Sequence, residues 1–114
     1  MDQETYGALK GGVEEFLGSN WRDLYPVGHP GHSHRLSDDE AIDYFVAHAD
    51  AQSARQVVDD IRTFVDAPNE PAREKVRFVH ENVNTMTYIP SRDDQAAIDW
   101  LERQSRAIER RLGR

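Results

Sequence analysis

Residues 50–68, DAQSARQVVDDIRTFVDAP, carry the clearest structural pattern in this chain of 114 residues. Apolar side chains recur three or four positions apart from Ala54 to Val65, the spacing that brings them onto one face of an α-helix. Asp50 stands directly before the pattern and is a residue type that caps helix N-termini with its side-chain oxygens. The stretch therefore predicts a helix that starts after Asp50, buries one face and ends near Asp66.

The same spacing predicts a first helix from about Gln3 to Leu17. Tyr6 is expected on its inward face with the apolar residues that follow at three- and four-residue intervals. The pair Gly11-Gly12 lies inside this helix, although glycine weakens helices.

A second helix is predicted to follow the loop in the first third of the chain. The segment SDDE, residues 37–40, matches the capping box, in which the serine and glutamate side chains satisfy backbone N–H groups of the first turn. The predicted inward residues are Ala41, Ile42, Phe45, Val46 and Ala49.

Two further helices are predicted downstream. One begins at residues 69–71, because proline is tolerated in a first helical turn. The last begins after Ser91 or Asp93, with Trp100 near the edge of its buried stripe. Between them, NTMTYIP at residues 84–90 is expected to be an extended connector, because a lone strand has nothing to pair with.

Composition narrows the class of protein. The hydrophobic share is 38%, and no run of about 18 apolar residues is present, so we expect neither a membrane span nor the apolar core of a secretory signal. The absence of cysteine excludes disulfides and fits a reducing, cytoplasmic environment. We expect a single all-α domain of about five helices over residues 1–114.

The charge is strongly negative and unevenly distributed. The net charge is −7, and residues 1–70 hold 14 acidic and 5 basic residues, whereas residues 71–114 hold 7 and 9. Such a field repels nucleic acid and speeds the encounter with a basic protein. We therefore expect a cationic protein partner, and no nucleic-acid or membrane partner.

Five arginines are predicted to line the outward face of the last helix. Their spacing resembles a nucleic-acid stripe, but acidic residues interleave with them and cations are favoured near a helix C-terminus. We interpret them as a solvated face. They are Arg103, Arg106, Arg110, Arg111 and Arg114.

Three histidines, His29, His32 and His34, fall within six residues of the first loop. Imidazole is a common ligand of zinc and nickel. A loop rich in glycine and proline offers little of the rigid support that metal sites require. We predict no metal or cofactor, and keep a metal-dependent protein as an alternative that zinc or nickel titration of a triple alanine variant would test.

The sequence contains no convincing catalytic group. Paired carboxylates occur, but each pair falls at a helix start or on an outward face, where solvent keeps both members ionised. No glycine-rich phosphate loop is present. We do not expect an enzyme, and a generic acidic helical adaptor is a further alternative.

The best candidates for partner binding are acids without an intrahelical cation. Asp39 and Asp43 lie four residues apart on the second helix, and neither has an intrahelical lysine or arginine nearby. Asp59 is a second choice because Arg55 and Arg62 flank it on the third helix. The candidates are Asp38, Asp39, Asp43 and the aromatic anchor Tyr44, followed by Asp59 and Asp60.

Four short stretches and their order carry a resemblance to a known family. They are EEFLGSNW at 14–21, DDEAIDYFV at 38–46, YIPSRDD at 88–94 and DWLERQSRAI at 99–108. This order resembles the helical immunity proteins of bacterial contact-dependent growth inhibition systems, over roughly Leu9 to Leu112. The chain departs from the family at the end of the first helix, where only Trp21 is retained, and the histidine loop looks like an insertion.

The resemblance implies a cytoplasmic protein that binds and inactivates the C-terminal toxin domain encoded beside it. Toxins of these systems are often nucleases with basic substrate grooves, which an acidic inhibitor complements. No toxin-binding residues are transferred from the family.

Overall fold

The computed structural model describes residues 2–18, 38–68, 70–82 and 94–113. Of these residues 87% are helical and none forms a strand, which confirms the predicted all-α fold. Within the described ranges there are five helices. The first, α1, consists of Gln3–Ala8, a π-helical turn at Leu9–Val13, and Glu14–Gly18. The others are α2 at Asp38–His48, α3 at Ala51–Val65, α4 at Ala72–Asn82 and α5 at Asp94–Arg111.

Helix α3 has the predicted boundaries. The Asp50 carboxylate accepts hydrogen bonds from the Ser53 backbone N–H at 2.9 Å and from the Ser53 hydroxyl at 2.9 Å. At the other end the Asp66 N–H donates to the carbonyl of Arg62. The predicted buried face is confirmed over Ala54, Val57, Val58, Ile61 and Phe64, whereas Val65 is half-buried.

Helices α3 and α5 form the centre of the molecule. Helix α1 packs against α3, and both α2 and α4 pack against α5. Phe16 of α1 joins the layers: its ring meets Phe45 of α2 edge to face at 5.6 Å and lies 6.2 Å from the Trp100 ring of α5. The Trp100 indole lies within the core cluster and is only 3% exposed, so the prediction that it lies near the edge is wrong.

The upstream half of α1 is rotated from its predicted orientation. Tyr6 is 44% exposed, whereas Thr5 and Ala8 are buried. The π-helical turn at Leu9–Val13 adds about one residue to the helical repeat. The inward face upstream of the turn therefore moves by one position, from Tyr6 to Thr5.

The remaining helix predictions are confirmed where they fall within the described chain. Helix α4 begins at Ala72, directly after Pro71, whose carbonyl accepts from the Lys75 N–H. The predicted caps at Ser37 and at Ser91 or Asp93, and the connector at 84–90, lie outside the described residues.

No helix in the described ranges combines the length and the apolar character needed to cross a bilayer.

Candidate protein-binding surface

Helix α2 directs two carboxylates and an aromatic ring toward solvent. The side chains of Asp39 and Asp43 are 87% and 68% exposed, and Tyr44 is 38% exposed. Positions four apart on a helix stand one above the other, so the two carboxylates form a pair. We call Asp39, Asp43 and Tyr44 the α2 surface.

A cation from another helix lies against this pair. Arg111 Nε donates to Asp43 Oδ1 at 2.5 Å, and Arg111 Nη2 lies 3.4 Å from Asp39 Oδ1. The hydrogen bond to Asp43 raises the pKa of the Arg111 guanidinium, against the opposing effect of burial. The sequence correctly indicates that neither acid has a lysine or arginine nearby within α2, but it does not show that α5 supplies a cation across the helix interface.

Arg111 also differs from its predicted position on an outward face. Its side chain is 24% exposed and its Nη1 donates to the Ala107 carbonyl. Arg103, Arg106 and Arg110 are exposed as predicted. Arg114 lies outside the described residues.

The Tyr44 ring is held in place by a neighbour. His48, one turn further along α2, stacks on it with ring centroids 3.9 Å apart and an angle of 19° between the planes. The His48 Nδ1 atom lies 2.8 Å from the Tyr44 carbonyl oxygen. An aromatic ring with a fixed orientation loses little entropy on binding, which is the property of an anchor residue.

Asp38 is the first residue of α2, and its side chain lies outside the part of the chain that the structure describes.

Asp59 and Asp60 lie on α3, away from this pair, and within the described residues no ion pair or hydrogen bond joins the two sets. Asp59 is exposed. Arg62, expected to flank it, instead pairs with Glu109 of α5 at 2.8 Å. Asp59 is therefore open to solvent on the outer side of α3.

The Asp60 carboxylate is engaged in hydrogen bonds within the fold. Its Oδ2 accepts the Gly12 backbone N–H at 2.8 Å, and its Oδ1 accepts from Gln56 Nε2 at 2.9 Å. A Cβ at Gly12 would lie 2.6 Å from the Asp60 Cβ and 2.9 Å from the Val57 Cα. Gly12 is thus required by the close approach of α1 to α3.

A cleft of about 260 Å³ lies between α3 and α5. Its charges are balanced, with two arginines and two carboxylates in the wall, so it offers no net charge to a ligand. The lining residues are Arg62, Val65, Asp66, Glu102, Ser105 and Arg106.

Lys75 is a buried cation that the sequence pattern did not single out. It is 6% exposed, and its Nζ donates to the Val65 carbonyl at 2.5 Å, at the C-terminal end of α3. Burial lowers the pKa of its ammonium group, against the attraction of Asp66 and Glu70. Lys75 lies four residues before the buried Val79 on α4, the helical spacing that places both side chains on one face, and this spacing was a signal in the sequence.

Among the described residues, no group of three or more potential ligand side chains is placed to hold a metal ion. His29, His32 and His34 lie outside the described residues. His48 and His80 are exposed on separate helices.

The fold and the α2 surface define a small, acidic, all-α protein with a carboxylate pair and an oriented aromatic ring on one exposed helix. Comparison with protein-family models, with curated proteins and with solved structures gives no match for this chain.

Proposed function

We propose that this protein is an immunity protein that binds and neutralises a cognate toxin domain of a contact-dependent growth inhibition system in the cytoplasm. The toxin is expected to be a basic nuclease. Inhibition is stoichiometric, through contact between proteins, with no bond made or broken by the immunity protein itself.

The observation that carries the proposal is the exposed carboxylate pair of the α2 surface. Asp39 and Asp43 each contact Arg111 through Oδ1, and both side chains remain more than half exposed. Each carboxylate thus retains oxygen lone pairs for a cation of a partner. Guanidinium and ammonium groups in a nucleic-acid-binding groove are partners of this kind.

Two features of the whole chain support the same function. The net charge of −7 accelerates encounter with a basic protein, and an inhibitor of a nuclease must capture it before the nucleic acid is damaged. Tyr44, stacked on His48, supplies an anchor beside the acids.

The test is co-expression with the polypeptide encoded immediately upstream. We expect the two chains to co-purify as a one-to-one complex, and the nuclease activity of the partner to fall to background once the complex is stoichiometric. Toxin that remains active in a stoichiometric mixture, or failure of the two chains to associate, would refute the proposal.

The control separates this surface from the rest of the protein. Asp39→Asn/Asp43→Asn removes both charges with little change in side-chain volume, and Glu81→Gln/Asp99→Asn removes two exposed acids elsewhere in the same way. We expect the first variant to weaken the complex by at least tenfold, because two charge-assisted contacts are lost, and the second to weaken it less than threefold.

A further inference from the structure

Arg111 directs its guanidinium at the two carboxylates of the α2 surface and at its own helix. Nε donates to Asp43, Nη2 lies against Asp39, and Nη1 donates to the Ala107 carbonyl. The side chain is 24% exposed, whereas the two carboxylates are 87% and 68% exposed. The cation is therefore the more enclosed partner of this three-residue contact.

A resident cation changes what the acids can bind. A guanidinium presents a rigid set of donors that matches carboxylates, and its charge is never lost in the ordinary pH range. An external cation must either bind carboxylates whose charge Arg111 already partly neutralises, or displace Arg111 from them. Displacement has a cost that only a partner with several well-placed contacts can recover.

We infer that Arg111 is a specificity-determining residue that acts as an intramolecular competitor for the α2 surface. It weakens the attraction of the acids for stray cations, so that binding is restricted to a partner complementary to the whole surface. The inference rests on the proposed function for its biological role, but its test requires only a cationic probe.

Arg110 provides a matched control. It is the next residue of the same helix, it carries the same charge, and it is exposed. Within the described residues its side chain has no ion-pair partner. Arg110→Gln and Arg111→Gln thus change the net charge equally, and only Arg111→Gln releases Asp39 and Asp43.

The probe is a fluorescein-labelled hexa-arginine peptide, titrated with each variant at low ionic strength and followed by fluorescence anisotropy. We expect Arg111→Gln to tighten binding about fivefold, the effect of one unit charge removed from contact distance in a high-dielectric solvent. Arg110→Gln should tighten it less than twofold. Equal gains for the two variants would overturn the inference, because net charge alone would explain both.

A second comparison has no change in net charge. Arg111→Lys keeps the charge but replaces the forked guanidinium by a single ammonium, which can satisfy one carboxylate well and the other poorly. We expect about a twofold gain in peptide affinity for Arg111→Lys and none for Arg110→Lys. If Arg111→Gln proves unfolded by circular dichroism, this pair decides the question, and the absence of a gain contradicts the inference.

The origin of the gain is tested in the same assay. In the Arg111→Gln background, Asp39→Asn/Asp43→Asn should abolish the whole gain, and a gain that persists would place the peptide elsewhere and refute the inference. Capture of the toxin by the wild-type chain is measured separately. A chain that fails to capture the toxin but shows the Arg111 effect refutes the proposed function alone.

Discussion

Gly12 is the residue at which α1 comes closest to α3, and a methyl group there has no room. Its Cβ would fall 2.6 Å from the Asp60 Cβ and 2.9 Å from the Val57 Cα, and neither atom is the end of a flexible side chain. We expect Gly12→Ala to lower the free energy of unfolding by about 1–3 kcal/mol, the usual cost of overpacking. Urea denaturation followed by circular dichroism measures it.

Gly7 supplies the control in the same helix. A Cβ at Gly7 meets no atom within 4 Å, so alanine there gains helix propensity without a clash. Gly7→Ala should leave the protein unchanged or stabilise it by up to about 1 kcal/mol. Equal effects of the two substitutions would mean that α1 is not held this close to α3.

Because Lys75 is buried, the free energy of unfolding should vary with pH in the alkaline range. Burial lowers the pKa of its ammonium group, so the unfolded chain holds this proton more tightly than the folded chain does. Stability should therefore rise with pH in the window between the lowered pKa and the ordinary lysine value of about 10.4. The measurement is the difference in unfolding free energy between wild type and Lys75→Met at several pH values in that window.

The chain contains one other lysine, which serves as the comparison for Lys75. Lys10 is exposed on α1 and pairs with Glu14. Lys10→Met therefore removes the charge of an exposed lysine and is the control for the loss of one positive charge. A wild-type stability that does not rise relative to Lys75→Met as the pH increases would contradict the effect of burial on Lys75.

At the scale of the helix, the N-terminus of α3 depends on an ionised cap. The backbone N–H and the hydroxyl of Ser53 donate to Asp50 and lower the pKa of its carboxyl group. Its stabilising effect is complete above the unfolded pKa of aspartate and disappears as the pH falls through the lowered value. Asp50→Asn retains a capping oxygen without a charge, so wild type should lose more stability than Asp50→Asn on acidification below about pH 4.

Thermal midpoints at neutral and acidic pH test this cap. Asp50→Ala lacks any side-chain acceptor and should have the lowest midpoint at neutral pH. Identical acid sensitivity of wild type and Asp50→Asn would show that the carboxylate charge at Asp50 does not contribute to the stability of α3.

Some features of the helices could be predicted from the sequence and others could not. The α3 face from Ala54 to Phe64 was predictable because its spacing is local and its cap immediately precedes it. The contact of Arg111 with Asp43 joins residues 68 positions apart. It depends on the angle at which α2 and α5 pack, and the spacing of apolar residues within either helix does not predict that angle. The π-helical turn was also missed. It lies where the Gly12 N–H donates to Asp60, 48 positions away, a contact that the residues of the turn do not reveal.

For the molecule as a whole, charge placement rather than total charge should decide how fast a basic partner is captured. Two double charge reversals change the net charge equally: Asp39→Lys/Asp43→Lys and the control Glu81→Lys/Asp99→Lys. Only the first pair lies on the α2 surface. We expect the α2 reversal to slow association with the toxin at least tenfold at low salt, and the control reversal to slow it less than threefold.

Ionic strength provides the second readout of the same experiment. Screening shortens the range of charge interactions from about 30 Å at 0.01 M salt to about 10 Å at 0.1 M, so the wild-type association rate should fall steeply over this interval. The α2 reversal should flatten that dependence, because the attraction it removes is the one that salt screens. Stopped-flow fluorescence of Trp21 and Trp100 against a labelled toxin domain measures both rates. If both reversals flatten the dependence equally, steering arises from the net charge of −7, and the docking surface lies elsewhere.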